Sequence, residues 1–158
     1  MIRIAAGLQI KNNLSRHFDD ISPEARQYIK SEVLVSLADS SPVVRNTSGS
    51  IVTGIISSGG GLASWPELLG VLVSFLDNPN MNVVDGALST LHKICEDHNE
   101  ELESSTYHEA LQALIPRFLS FFRSPHEQFR RVALSCINQF IVHMPEALLS
   151  NLETFLQV

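Results

Sequence analysis

Two series of amphipathic segments repeat at the same spacing along this chain. Four segments with apolar residues at helical spacing align without gaps, and small residues share one aligned position: Ala6, Ser48, Ala87 and Ala133. The last two intervals are 39 residues (48 to 87) and 46 residues (87 to 133). A second series has the same two intervals, and its aligned positions are Val33, Leu72 and Phe118. This agreement predicts a repeating pair of helices as the folding unit.

Helix pairs that recur every 40 to 46 residues or so are typical of HEAT and armadillo proteins. One pair cannot bury its own apolar face, so neighbouring pairs must stack. Arginine early in the second helix, at Arg3, Arg45 and Arg130, favours the two-helix HEAT unit over the three-helix armadillo unit. We therefore predict an all-α, HEAT-repeat α-solenoid of stacked antiparallel helix pairs, as a fragment of a right-handed superhelix.

Short breakers such as Ser41-Pro42 and Ser124-Pro125 divide the chain into repeats. The segment SIVTGII could form a strand, but its length and flanks favour a helix. We expect this helix, which contains Gly49 and Gly54, to be the least stable of the set. The predicted solenoid covers residues 1–158, as a second helix of a partial repeat (1–18), three repeats (22–60, 64–103 and 106–143) and the start of another (145–158).

Composition limits the classes of partner. The chain has 11 basic and 17 acidic residues, a net charge of −6, which argues against non-specific binding to nucleic acid or to an anionic membrane. No apolar run reaches the ~20 residues of a membrane span, and we expect a soluble intracellular protein. Cys95 and Cys136 lie within apolar helical patterns, and this predicts buried, reduced thiols.

The segment LHKICEDHNEELE, residues 91–103, joins an apolar half to an acidic half. His92 and Glu96 are four residues apart on a helix and could share a metal ion, but an exposed polar face is the favoured interpretation. Glu100 to Glu103 are expected in a loop. No motif of a nucleophile, a metal centre or a phosphate loop is present, so we expect no enzyme, no cofactor and no metal site.

Several sequence words carry a family resemblance. They occur in the order AAGLQIKNNL, SSPVVRNTSGSIVTGIISSGG, SWPELLGVL, LHKICED and INQFIVHMPEALL. In this order they resemble the N-terminal part of the transportins, a branch of the karyopherin-β (importin-β) family of nuclear import receptors. The wording SPHEQFRRVALSCINQFIVHMPEALL is similar to plant members. The resemblance implies a receptor that shuttles between cytoplasm and nucleus through nuclear pores, while a general HEAT scaffold or regulatory subunit is the alternative.

The resemblance also implies partners. N-terminal repeats of this family bind the GTPase Ran in its GTP form through their second helices. Phenylalanine-glycine nucleoporins could insert near Leu119 and Phe122, although simple core packing is favoured there. Cargo with proline-tyrosine localisation signals would bind only through repeats that are absent here.

Candidate Ran contacts come from the aligned second helices. If the aligned positions of Ala6 and Ile10 are buried, two other sets should point outward: Lys11, Thr53, His92 and Asn138, and Ile4, Asn46, Asp85 and Arg131. Carboxylates on such a face suit a basic partner. The predicted partner-binding residues are Asp85, His92, Glu96 and Asp97.

Overall fold

The computed structural model describes residue 9 and residues 18–156, and within them all regular structure is helical. Between residues 18 and 156 eight α-helices follow one another: α1 (Pro23–Ser36), α2 (Pro42–Ser58), α3 (Leu68–Leu76), α4 (Met81–Leu102), α5 (His108–Phe121), α6 (Glu127–Asn138), α7 (Glu146–Leu149) and α8 (Leu152–Leu156). Single 3-10 turns lie at Phe18–Asp20, Leu62–Ser64 and Ser105–Tyr107. The SIVTGII segment is helical, as predicted.

The helices pack as three hairpins, α1 with α2, α3 with α4, and α5 with α6. The second helices of the hairpins stack in the order α2, α4, α6, and α3 packs on α5 in the layer of first helices. The short α7 extends that layer by packing against α5. The predicted HEAT-repeat α-solenoid is confirmed. No helix of the described residues is long and apolar enough to cross a membrane.

The aligned positions form the core between the hairpins. Ser48, Ala87 and Ala133 are buried, and their small side chains let the helices approach closely. The aliphatic side chains one turn later are also fully buried, at Val52, Leu91 and Ile137. Burying one such side chain contributes roughly 1.5–3 kcal/mol, so the shared register of the two helix series holds the stack together. Of residues 1–17 the structure describes only Gln9, which is helical. The aligned positions Arg3, Ala6 and Ile10 therefore lie outside the described residues.

Local sequence sets where the helices begin. Ser22 precedes the proline that opens α1, and its hydroxyl accepts a hydrogen bond of 3.3 Å from the Ala25 N–H. Asn80 caps α4 by accepting from the Asn82 N–H at 3.0 Å. Each cap satisfies an N–H group that the first turn leaves without a helical partner.

Glycine allows two close approaches at the junction of the first two hairpins. A Cβ atom at Gly86 would overlap the carbonyl oxygen of Leu37, the C-cap residue directly after α1. A Cβ at Gly49 would lie 2.7 Å from the Thr90 hydroxyl oxygen on α4. The second of these glycines lies in the helix that we expected to be least stable, and there it permits helix contact.

The prediction that Glu100 to Glu103 form a loop is wrong for most of that segment. Helix α4 continues to Leu102, through a kink at His98, where φ is −137° and ψ is 27°. Leu102 is fully buried, so apolar burial after the kink holds the last turn against the core. The kink changes the helical face on which the later carboxylates lie.

Candidate partner-binding surface on the second helices

Adjacent second helices run in the same direction and contact each other through polar pairs. Near the starts of α2 and α4, Arg45 pairs with Asp85. Near their ends, Ser57 lies 3.5 Å from the Nε2 atom of His98. The N-terminal ends of α2 and α4 lie together, and so do their C-terminal ends, so the two helices are parallel.

Asp85 belongs to the junction between α2 and α4. The Nη2 atom of Arg45 is 2.7 Å from its Oδ2 atom, and the Nε atom donates to the same oxygen at 2.8 Å. The side chains are only 8% and 19% exposed, for Arg45 and Asp85 respectively. The carboxylate that we expected to point outward is therefore engaged by a buried guanidinium.

His92 and Glu96 lie at the next junction, between α4 and α6. The His92 Nε2 atom is 2.8 Å from the Ser135 hydroxyl oxygen and 3.5 Å from the Glu96 Oε1 atom. The Glu96 side chain is 46% exposed. This arrangement leaves the carboxylate available to solvent beside an imidazole that is held by α6.

The exposed carboxylates on the last turns of α4 are Glu96, Asp97 and Glu100, which we call the acidic surface. Asp85 precedes Glu96 by 11 residues along the same helix, about 16 Å at the rise of an α-helix. Glu96 and Asp97 are thus consecutive exposed residues near the end of α4, and Asp85 lies apart from them near its start. Exposed carboxylates on one helix suit a basic protein surface.

The two histidines of α4 do not converge on one ion. His98 faces Glu101, whose Oε2 atom is 3.3 Å from its Nδ1 atom, while His92 faces Ser135. No group of three or more His, Cys, Asp and Glu side chains in the described residues could hold a metal.

The other late carboxylates of this segment stabilise neighbouring loops. Glu101 accepts a hydrogen bond of 2.9 Å from the Leu62 N–H, just after Gly60 and Gly61, which have φ of 87° and 106°. The Oε2 atom of Glu103 lies 2.9 Å from the Nδ1 atom of His143. These roles were not predicted, because each joins residues about 40 positions apart.

The chain resembles known proteins over nearly its whole length. The profile of the Importin-beta N-terminal domain matches residues 1–39. Transportin-1 of Homo sapiens is 40% identical over 155 residues, which are 98% of this chain and 17% of the relative. Transportin of Dictyostelium discoideum is 40% identical over 156 residues, 99% of this chain and 17% of the relative. Transportin-1 of Oryza sativa is 37% identical over 158 residues, 98% of this chain and 18% of the relative.

The chain is transportin-like in sequence. It spans less than one fifth of the length of these relatives. A plant protein is among them, at an identity close to those of the animal and amoebal proteins.

Only some of the residues that were predicted to point outward from the second helices of this transportin-like chain are exposed. Thr53 is 8% exposed, so its expected outward position is wrong: α4 covers this side of α2. Asn46, Arg131 and Asn138 are exposed as predicted. Alignment within the chain identifies the side of a helix that faces away from its own hairpin, but the next hairpin can cover that side.

The residues near which nucleoporins were expected to insert lie largely in the core of the transportin-like solenoid. Leu119 is 1% exposed, and Phe122 is half-buried against the core. The burial of Leu119 favours the core interpretation that the sequence suggested.

Both cysteines of the transportin-like chain are buried, as predicted. A hydrogen bond with Cys95, together with burial, raises the pKa of the Cys136 thiol well above its ordinary value. A raised pKa disfavours the thiolate, which is the reactive form. These thiols join α4 to α6 as part of the core.

Proposed function

We propose that this chain acts in nuclear import as a Ran-binding part of a transportin-like receptor that shuttles between cytoplasm and nucleus. The observation that carries the proposal is the 40% identity to human Transportin-1 across 98% of the chain. In this proposal the chain binds the GTP form of Ran and catalyses no reaction. Cargo with proline-tyrosine localisation signals would bind to repeats that are not in this chain, and phenylalanine-glycine nucleoporins are further partners.

The acidic surface supports the proposal that the partner carries a basic region. Its carboxylates lie on α4, the central helix of the second-helix layer, and the whole chain carries a net charge of −6. A field of one sign speeds the encounter with a partner of opposite charge and weakens as salt is added. In the proposal a basic region of Ran approaches this layer.

The four predicted contact residues differ in their suitability. Glu96 and Asp97 are exposed, and His92 lies beside Glu96. Asp85 is held by Arg45, so contact with a partner would have to compete with that ion pair. We therefore propose Glu96 and Asp97 as the main contacts, His92 as a neighbour that positions Glu96, and Asp85 mainly as a support of the helix junction.

The deciding experiment compares binding of this chain to purified Ran loaded with GTP or with GDP, by isothermal titration calorimetry at low and at physiological salt. We expect binding to the GTP form and at least ~10-fold weaker binding to the GDP form, about 1.4 kcal/mol. Equal binding to both forms would favour a general HEAT scaffold. Absence of binding to both forms would contradict the proposal.

Paired charge reversals test the contact surface. Glu96→Lys with Asp97→Lys should weaken binding to the GTP form by about 10-fold or more, because like charges would then meet. The control reverses two exposed glutamates on first helices, Glu32→Lys with Glu109→Lys, and changes the net charge equally. Equal losses in both variants would point to net charge alone and would count against the acidic surface as the contact.

A further inference from the structure

A serine on α6 holds the imidazole that lies beside the acidic surface. The Nε2 atom of His92 is 2.8 Å from the Ser135 hydroxyl oxygen and 3.5 Å from the Glu96 Oε1 atom. The shorter distance is typical of a hydrogen bond, whereas the longer one exceeds the usual range. The imidazole is therefore bonded to the neighbouring helix, and its Nε2 atom does not engage the carboxylate of its own helix.

This contact is a feature of the junction between α4 and α6. Thr53 occupies the position of α2 that is aligned with His92, and its hydroxyl donates to the Ser50 carbonyl of its own helix at 3.2 Å. Ser50 is aligned with Ser135 through the 39- and 46-residue intervals. Its hydroxyl donates to the Asn46 carbonyl, again within α2, at 3.1 Å. The repeat itself therefore does not require a polar contact between helices at these positions.

The site lies on the central second helix, with a packed neighbour on each side. Helix α4 packs against α2 and against α6. The side chains of His92 and Glu96 are 25% and 46% exposed with both neighbours in place. Ser135 reaches the imidazole from a half-buried position on α6. The carboxylate is thus open to a partner, while the serine that acts on it from behind is largely covered.

Few charged or titratable groups surround the imidazole. Those near it along the two helices are Lys93, Cys95 and Glu96 on α4 and Arg131 and Cys136 on α6. Both thiols are buried, and the Nζ atom of Lys93 donates to the Asn46 carbonyl on α2 at 3.0 Å. Arg131 is exposed, one turn before Ser135. Since Glu96 is the one carboxylate of this set, the charge of the imidazole acts chiefly on Glu96.

We infer that Ser135 is a positioning residue for the acidic surface and acts through His92, an inference that rests on the proposed function. With its Nε2 atom bonded to Ser135, the neutral imidazole stands beside Glu96 and leaves the carboxylate free for a basic group of the partner. Without the hydroxyl, the imidazole turns to Glu96, four residues further along the same helix face, and competes with the partner for it.

Protonation of the imidazole strengthens this competition. An imidazole changes its charge between about pH 5 and 8, and the protonated ring donates from both nitrogens. Its positive charge then lies beside Glu96 and offsets part of the negative charge of the acidic surface. Partner binding should therefore weaken as the pH falls, and it should weaken further when Ser135 no longer holds the ring.

Substitutions at Ser135 test the inference without changing the net charge of the chain. The affinity of the full chain for Ran loaded with GTP is measured by calorimetry at about pH 7.5 and at about pH 6. Ser135→Ala should weaken binding about 2-fold at the higher pH and about 5-fold at the lower pH. Ser135→Thr keeps the hydroxyl and should retain most of the wild-type affinity. Comparison with the wild type at each pH removes any effect of pH on Ran itself.

A double-mutant cycle separates positioning from direct contact. In a His92→Ala background, Ser135→Ala should have no further effect on binding, because the imidazole through which the serine acts is absent. Ser50→Ala removes the aligned hydroxyl on α2, which bonds its own helix, and should leave binding unchanged at either pH. In the free chain, NMR of the imidazole nitrogens should show a changed Nε2 signal of His92 in Ser135→Ala and not in Ser50→Ala. Circular dichroism confirms that each variant folds.

The outcomes separate a failure of the positioning role from a failure of Ran binding. Absence of binding by the wild-type chain would overturn both. Wild-type binding that Ser135→Ala does not weaken would overturn the positioning role alone, and so would an unaltered Nε2 signal. Equal losses with and without His92 would show that the serine acts by another route. A Ser135→Thr chain that binds as weakly as Ser135→Ala would assign the loss to packing of α6, which also overturns the role of the hydroxyl.

Discussion

Arg45 and Asp85 are 40 residues apart and form a pair that joins one repeat to the next, with Nη2 to Oδ2 and Nε to Oδ2 distances of 2.7 and 2.8 Å. The same guanidinium binds the carbonyls of the loop that precedes its own helix. One buried arginine therefore fixes the loop within a hairpin and the position of the next hairpin together.

Removing the carboxylate should leave this arginine buried without its charge partner. We expect Asp85→Ala to lower the free energy of unfolding by about 2–3 kcal/mol, because the desolvation cost of Arg45 is then uncompensated. Urea denaturation followed by circular dichroism measures the change. Asp97→Ala, at an exposed position of the same helix, should change stability by less than ~0.5 kcal/mol. Equal effects of the two substitutions would show that the ion pair contributes little.

Substituting alanine for Gly86 and for Gly54 should change the free energy of unfolding in opposite directions. Gly86→Ala should lower the free energy of unfolding by about 3 kcal/mol or more, because the new methyl group overlaps the Leu37 carbonyl and forces α1 and α4 apart. Gly54→Ala, with open space around the added Cβ, should raise it by about 0.5–1 kcal/mol through helix propensity. Thermal unfolding of both variants measures the difference, and a stable Gly86→Ala protein would contradict the close contact.

Glu101 should influence the ionisation of Tyr107. Burial, and next the negative charge of Glu101, raise the pKa of the Tyr107 hydroxyl above its ordinary value. Glu101→Gln should therefore lower that pKa part of the way back. The chain has two tyrosines, so absorbance titration of tyrosinate in a Tyr28→Phe background reports Tyr107 alone.

Glu103→Gln is the matched control for Tyr107 and should leave its titration unchanged. Because the folded-state pKa lies above the unfolded one, this group favours folding less as pH rises through the folded-state pKa. Alkaline unfolding should therefore begin at lower pH in the wild type than in a Tyr107→Phe variant. An unaltered Tyr107 pKa in Glu101→Gln would exclude the electrostatic contribution.

Asp77 and Arg117 form a second pair between repeats, at the surface of the first-helix layer. Hydrogen bonds from Arg117, with distances of 2.6 to 3.2 Å, lower the pKa of the Asp77 carboxyl. A lowered folded-state pKa stabilises the fold above the ordinary pKa, and this contribution is lost as pH falls through the folded-state value. The side chains are well exposed, so the effect on stability should be at most ~1 kcal/mol.

Arg117→Gln should return the Asp77 pKa towards its ordinary value, as followed by NMR titration of the carboxyl carbon. Arg123→Gln changes an exposed arginine beyond the end of the same helix and should have no such effect. A lowered Asp77 pKa that persists without Arg117 would assign the shift to another cause.

The fold could be predicted from the sequence because the residues that define the repeat face the core of their own hairpin. Ala87, Leu91 and Phe118 were assigned to the core from spacing alone, and each is fully buried. Such positions follow from helical periodicity and need no knowledge of the neighbouring repeat.

The contacts between repeats could not be predicted in the same way. Thr53 and Asp85 were expected on an outward face, and α2–α4 stacking covers the first and pairs the second. Glu101 was expected in a loop, whereas α4 continues past it through a kink at His98 that has no sequence signal such as proline. These errors share a cause: contacts between residues about 40 positions apart decide them.

The contact between Gly86 and the end of α1 affects more than local packing. At this point the backbone of one repeat rests on the backbone of the preceding repeat, with no side chain as a spacer. In a solenoid the small rotation at each junction adds along the stack and determines its curvature. One methyl group added at this junction would tilt every later helix of the stack. The direction in which α4 and α6 present their surfaces is thus set partly by a buried glycine.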